Sequence, residues 1–176
     1  MATRKVILVG IAEWAKVFEE NRDKVGFKDG DAPGTYEDTD GACTIDMILD
    51  KENMDRLIAS KSMKKGSPDA EGRGTRVRFV RKFNTGRDWD SGSPVVVKSD
   101  GTKWDMDVDG LIGNGSTVAV TLSVYDTSRK SIVGTRLDRV KVLEHVKPPS
   151  DDDDEVATMP PPQKLKVVQG EEEVPF

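Results

Sequence analysis

Apolar and polar residues alternate one for one through much of the chain from Arg4 to Val146. In "STVAVTLSVY", Val118, Val120, Leu122 and Val124 point one way, and Thr117, Ala119, Thr121, Ser123 and Tyr125 the other. That is the period of a strand with one buried face. "CTIDMIL" repeats the pattern, setting Cys43, Ile45, Met47 and Leu49 against Thr44, Asp46 and Ile48, and predicts a half-buried strand. "RKVILVGIAEWAKVF" predicts a long or bent strand pair, apolar at Val6, Ile7, Leu8, Val9 and Ile11. "TRVRFVRKF" is a strand, "NTGRDWDSGSP" a turn, and "VVVKSDGTKWDMDV" a hairpin around Asp100-Gly101. "GTRLDRVKVLEHV" is a last strand before "KPPS". A helical period replaces alternation in "KENMDRLIASKSM", capped by Asp50 and carrying Met54, Leu57 and Ile58 on one face. "KKGSPDAEGRG" is a loop rich in breakers and charge.

Five to seven strands with one inserted helix predict a mainly β fold. A five-stranded antiparallel barrel of the OB type fits, because closure removes exposed strand edges; a β-sandwich is the alternative. From Ser150 the composition changes. Asp151 to Asp154 and Glu155 run together, "PPP" follows, and the next aromatic is Phe176. This predicts a disordered acidic C-terminal tail over 150–176 after a domain over 1–149, with "KLKVVQG" the one part able to pair transiently.

Composition sharpens this division. Of the 176 residues, 35% are apolar and 34% charged, too polar for all of the length to share one core. The tail's eight acids and two lysines give it −6 of the overall −5, which leaves the body at +1. The lone Cys43 excludes a disulfide framework and a cysteine-based zinc site. The basic-then-apolar start ends at Glu13 with no cleavage site, so it is read as a strand rather than a signal peptide. No run nears the ~18 apolar residues of a membrane span. A cytoplasmic protein with no membrane association is expected.

Catalytic and metal-binding patterns are weak. His145 is alone beside Glu144, and no serine sits in a nucleophile elbow. In "DMDVDG", Asp105, Asp107 and Asp109 precede Gly110, but Ser116 stands where a calcium loop needs its bidentate glutamate. These aspartates alternate with Trp104, Met106 and Val108, as on the wet face of a strand. "IGNGS" lacks the lysine of a phosphate loop and reads as a tight turn launching the strand from Thr117. The expectation is no enzyme, no cofactor and no metal.

"RGTRVRFVRKFNTGRDW" is different. It holds Arg73, Arg76, Arg78, Arg81, Lys82 and Arg87 against Asp88 alone, with Phe79, Phe83 and Trp89 interleaved. Single-stranded nucleic acid offers a polyanionic backbone and flat bases, so a groove for it needs cations and aromatic faces. On a strand Arg76, Arg78 and Lys82 share one face, and Arg81 falls with Val77, Phe79 and Phe83. The two phenylalanines fit either the core or base stacking, and Phe83 is kept among the binding residues. Trp89 lies among Gly, Asp and Ser, where nothing periodic would bury it. Trp104 fits core or groove, Tyr125 occupies the polar face of the strongest strand, and Trp14 fits either surface. Lys98 completes the expected single-stranded DNA-binding set.

"GTYEDTDGACTIDMIL", the capped helix, "VVVKSDGTK", "LIGNGSTVAVTLSVY" and an acidic tail ending in phenylalanine follow in an order that resembles the single-stranded DNA-binding replication proteins of short-tailed bacteriophages. The resemblance spans most of Gly34 to Val146 and is most specific at "VVVKSDGTK" and "IGNGSTVAVTLSVY". It implies an OB fold with a helix after an early strand, a basic aromatic-lined groove, no catalysis, and host-cell cytoplasm as the location. It also places Tyr125 at the family's tyrosine after the glycine-rich turn. The loop from Lys64 to Gly74 is shorter than the family's. "EEEVPF" resembles the end of bacterial single-stranded DNA-binding proteins. In such a tail Glu171, Glu172 and Glu173 meet a basic rim on a partner, Val174 and Pro175 stay extended, and Phe176 enters an apolar pocket. The partners implied are a polymerase, a helicase or primase, or a nuclease. The same acids can occupy the protein's own groove when DNA is absent. An RNA-binding or cold-shock-like OB module and a β-rich phage structural or adaptor protein are the alternatives. Oligomeric state stays open, a homodimer included.

Overall fold

A computed structural model of the chain describes residues 3–23, 40–129 and 131–148. The expected tail, with Glu171 to Phe176, lies outside the described residues. The chain divides into two compact units, Met1–Val146 and Lys147–Phe176, and every described strand and helix belongs to the first.

The strands are β1 (Thr3–Lys16), β2 (Ala42–Leu49), β3 (Ser67–Pro68), β4 (Thr75–Lys82), β5 (Val95–Lys98), β6 (Ser116–Asp126) and β7 (Val133–Glu144). They form one sheet in the order β3-β4-β2-β1-β6-β7-β5. The five long strands make the OB barrel, and side chains at the end of β4 bridge to β7 across the seam. Two short strands extend its edges: β3, paired with β4, and β5, which runs parallel to β7 where the other pairs are antiparallel.

β1 is one bent strand rather than a pair. Its first ten residues, Thr3 to Ala12, pair with β6, and Ile11 to Lys16 turn to β2. Gly10 permits the crossover, since a Cβ there would lie 2.5 Å from the Ile48 carbonyl oxygen. At the bend the register shifts between Glu13 and Lys16, and Trp14 adopts φ 50°. Left-handed backbone costs a side-chain-bearing residue roughly 1–2 kcal/mol, and glycine gives back part of that gain as entropy. Because Trp14 is 61% exposed, little packing offsets this strain. Trp14→Gly is therefore expected to match or exceed the parent's stability by up to ~1 kcal/mol in urea unfolding; a loss of that size would contradict the strain.

The barrel core is built from Leu8, Ile45, Met47, Val77, Phe79, Val118, Val120, Leu122, Leu137 and Val140. The alternation of β6 is met, with Val118, Val120, Leu122 and Val124 fully buried. β2 departs from its half-buried reading, because every residue from Ala42 to Leu49 is buried. Asp46 tolerates burial there because the Arg78 guanidinium grips it through Nε at 2.6 Å and Nη2 at 3.1 Å. Cys43 is a free thiol whose pKa burial pushes up to about 12.

Helix α1 (Lys51–Ala59) starts as expected, with the Asp50 carboxylate accepting from the Asn53 N–H at 2.9 Å. It ends before the predicted Met63, and its packed face differs. Leu57 is buried and Met54 packs on the core, but Ile58 is exposed. Asn53 is turned inward instead, and its Oδ1 accepts the Val9 N–H of β1 at 2.9 Å. The hairpin after β5 is short. Trp104 N–H reaches the Val96 carbonyl at 3.0 Å, and a helical turn, α2 (Met106–Asp109), replaces the strand expected for "DMDVDG". Asp105 caps it by accepting from Asp107 N–H at 3.0 Å. Among the described residues no group of three His, Cys, Asp or Glu side chains is placed to hold a metal, and no helix is long and apolar enough to cross a membrane.

Candidate nucleic-acid interface

β4 sends Val77, Phe79 and Arg81 inward, the phase its sequence predicts. Arg81 therefore corrects its reading as a surface phosphate contact, being 9% exposed with its donors engaged. Nε donates to the Gly92 carbonyl at 3.1 Å, Nη2 to the Ser91 carbonyl at 3.0 Å, and Nη1 to the Leu137 carbonyl at 3.3 Å. Nη1 also meets Asp138 Oδ1 at 3.2 Å. This one guanidinium ties the end of β4 to β7 and to the loop at 84–92. Burial lowers its pKa, and Asp138 pulls in the other direction.

The loop is knit from within. Asp90 is buried and takes Arg87 Nη2 at 2.6 Å and Nε at 3.0 Å, while Thr85 Oγ1 donates to its other oxygen. Ser91 Oγ accepts from Thr85 N–H at 3.0 Å. The loop presents Trp89 on a 3₁₀ turn, Asp88–Asp90, with 69% of its surface exposed. The Arg87 guanidinium lies 5.2 Å from the Trp89 ring centroid and that of Arg136 5.3 Å, within cation–π range. Arg136 also stands 5.9 Å from the Tyr125 ring. Tyr125 lies over Gly134, its cross-strand partner, where a Cβ would come within 2.3 Å of the ring. Glycine at 134 is what gives the ring its seat.

Beneath this cluster Asp138 accepts from Arg136 Nε at 2.7 Å, Lys5 Nζ at 2.6 Å and Ser123 Oγ. Burial acts to raise its pKa, but the hydrogen bonds from Arg136, Lys5 and Ser123 outweigh it and hold the carboxyl below the usual range. Arg136 is thus fixed at its base while its guanidinium faces two rings.

The remaining predicted residues divide. Arg73 and Arg76 turn onto carboxylates rather than into a groove. Arg73 Nε meets Asp69 at 2.8 Å and its Nη1 meets Glu13 at 3.1 Å; Arg76 Nη2 meets Glu13 at 2.6 Å and Asp69 at 3.0 Å. Arg78 grips Asp46 but lines an open cleft. Lys82 is exposed, and Phe83 is half-buried with the Arg22 guanidinium 4.1 Å from its centroid. Lys98 pairs with Asp109 at 3.5 Å. Trp104 corrects toward the core: it is 8% exposed, donates Nε1–H to the Gly110 carbonyl at 2.8 Å, and meets His145 edge-on at 4.8 Å. His145 reaches the Leu111 carbonyl at 2.9 Å, which accounts for it structurally.

The structure therefore gathers Arg87, Trp89 and Tyr125 and adds Arg136, which the sequence reading missed. Only the register of β7 against β6 reveals it: Arg136 pairs with Ser123 and so shares a face with Tyr125 two residues on.

The carboxylates have a consequence in acid. Arg73 and Arg76 hold Asp69 well below the usual carboxylate range against the pull of burial, and Glu13 is likewise lowered by them. A carboxyl depressed in the fold contributes stability above its unfolded pKa, near ~4, and loses it as pH falls toward the folded value. Stability is expected to hold to about pH 4 and then decline steeply. Asp69→Asn should lower the neutral-pH plateau and flatten the acid decline, as measured by urea midpoints from about pH 7 to about 2.5; an unchanged profile would contradict the network.

No protein-family model and no curated protein sequence matches the chain. Solved structures do. The chain superposes on gp2.5, a single-stranded DNA-binding protein encoded by bacteriophage T7, with TM-score 0.54 and 18% identity over 93% of this chain and 100% of that one. It also superposes on the single-stranded DNA-binding protein of bacteriophage Enc34 in complex with ssDNA, with TM-score 0.50 and 13% identity over 83% and 88%. The chain has the fold of these phage single-stranded DNA-binding proteins. Among the described residues, the order strand, capped helix, strands that carried the resemblance in the sequence is met by this OB fold, whereas Gly34 to Thr39 and the tail lie outside them.

Proposed function

We propose that this OB-fold chain is a non-enzymatic, largely sequence-independent single-stranded DNA-binding protein of phage DNA replication and recombination, acting in the host-cell cytoplasm. The observation that carries the reading is an exposed indole, Trp89, flanked by the Arg87 and Arg136 guanidiniums with Tyr125 beside them. A base needs a flat apolar face and its phosphate a cation, and this cluster offers both within one base's reach. Every base has a flat face to stack on an indole, which supports tolerance of sequence.

Tryptophan fluorescence titrated with oligo-dT, oligo-rU and a duplex tests it. Quenching by oligo-dT, with log affinity falling ~0.7 per phosphate against log salt, is the expected result. An equal response to oligo-rU would favour an RNA-binding module, and silence with all three a structural or adaptor role.

On this reading residues 1–149 are the binding domain, and 150–176 an acidic tail that competes with DNA and recruits replication proteins through Phe176. Tethering makes such a weak polyanion an effective competitor. Removal of 151–176 should tighten oligo-dT binding severalfold at low salt, with the gain fading as salt rises. Unchanged or weaker affinity would remove the competition.

A further inference from the structure

On the reading just proposed, we infer that the strand held at Trp89 and Tyr125 leaves the rings along the outer face of β7, with Arg139 and Lys141 as its next phosphate contacts. An OB fold takes ~4–16 nucleotides, more than one ring cluster holds, so the strand needs a further course. β4 and β7 both carry cations on their outer faces, and the carboxylates around them decide between the two.

Along β4 and just before it the arginines are already answered. Arg73 and Arg76 share Glu13 and Asp69, and Asp46 grips Arg78. On β7 the balance is the opposite. Arg139 is exposed and Lys141 half-buried, and among the described residues neither side chain has an ion-pair or hydrogen-bond partner. A phosphate arriving at such a cation displaces only water and counterions, whereas one arriving at Arg76 must displace Glu13.

Register puts these two cations on the face of the rings. Residues paired across neighbouring strands project to the same side. Tyr125 pairs with Gly134, Ser123 with Arg136, Thr121 with Arg139 and Ala119 with Lys141. Arg136 and Arg139 are separated by an odd step, which a regular strand would send to opposite faces. The register shift between Thr121 and Leu122 leaves Asp138 as an extra residue, and this bulge returns Arg139 to the side of Arg136. Ile7 and Val95, 56% and 53% exposed, flank Arg139 in its row and offer apolar surface between phosphates. In the next row Val97 pairs with Lys141 and bridges to Lys103, so a further exposed lysine lies beside Lys141.

Two acids border the face. Asp138 is taken up by Arg136, Lys5 and Ser123, and Glu144, paired with Thr117, marks the far end. Rows on one face lie ~7 Å apart along a strand. That spans about two nucleotides at the duplex rise of ~3.4 Å and fewer once the strand is stretched. Arg136, Arg139 and Lys141 thus form one cationic line that begins at the rings, and its ligand is the phosphodiester backbone.

Oligo-dT and oligo-dA titrations over a salt series compare the parent with R139Q/K141Q, R139Q alone and, as a control on α1, K51Q. Neither Arg139 nor Lys141 anchors another group, so the variants should keep the parent's urea midpoint. The expected result for R139Q/K141Q is severalfold weaker binding at low salt and a salt slope shallower by ~1.4, for two phosphates at ~0.7 each. Quenching at saturation should be unchanged, and the loss equal on both oligonucleotides, because a phosphate carries no base identity. R139Q should lose ~0.7 of slope and K51Q none. Parent-like affinity and slope in both β7 variants, with oligo-dT still bound, would overturn the track and leave the proposed function standing. A loss confined to one base would overturn the phosphate role. A parent chain that binds neither oligonucleotide would overturn both the track and the function.

Discussion

On the proposed function, Trp89→Ala is expected to weaken oligo-dT binding about 5- to 150-fold, the equivalent of the ~1–3 kcal/mol that one stacked base contributes. The expectation rests on exposure and setting together. Trp89 is 69% exposed, so its removal opens no cavity, and a surface substitution of this kind changes stability by no more than ~0.5 kcal/mol. The Arg87 and Arg136 guanidiniums at 5.2 and 5.3 Å hold the ring in place without covering it. Trp89→Phe keeps a flat face of smaller area and should fall between the two. Most of the fluorescence quenching should vanish with Trp89, because Trp104 is buried and Trp14 lies at the far bend of β1. Affinity within about twofold of the parent, with quenching retained, would move the stacking surface to Trp14 and take the cluster out of the binding site.

How far the sequence reached depends on where each interaction closes. Alternation in β6 reports burial directly, because a strand's two faces are fixed by a period of two, and there the reading is met at Val118, Val120, Leu122 and Val124. Ser123 of the polar face is the exception, buried beside Asp138. The Asp50 cap closes within three residues and was equally legible. The arginines were not. Arg76 meets Glu13 from 63 positions away and Arg73 from 60, and both share Asp69 just before the run. What reads as a bare cationic stripe is therefore largely neutralised by carboxylates that alternation along β4 does not reveal. Ile58 and Asn53 exchanged roles because α1 is pinned through the Val9 N–H, a partner no helical period reveals. "DMDVDG" alternates like a strand, yet Asp105 finds a local partner in the Asp107 N–H, and such short side-chain bonds favour a turn of helix. Arg136 was missed because its meaning depends on the register of β7 against β6, which brings it beside Tyr125.

Arg81 shows the same limit with the largest energetic consequence. Arg81→Met is expected to cost about 3–5 kcal/mol, the range for removing one partner of a buried ion pair. The carbonyls of Ser91, Gly92 and Leu137 would lose their donor at once, and Asp138 would lose one of its cations. Met fills much of the same volume, so the loss reports the hydrogen bonds rather than a cavity. Urea unfolding should show the midpoint falling at constant slope, since the same surface is exposed. Asp138 keeps Arg136 and Lys5, which leaves the face beneath Tyr125 intact and limits the damage to the seam and the loop at 84–92. DNA binding should then weaken through a loosened Trp89 while the salt slope stays at the parent value, because Arg81 contacts no phosphate. Stability near that of the parent combined with a slope shallower by ~0.7 would mean the reverse, a guanidinium that swings out of the seam to meet the DNA backbone.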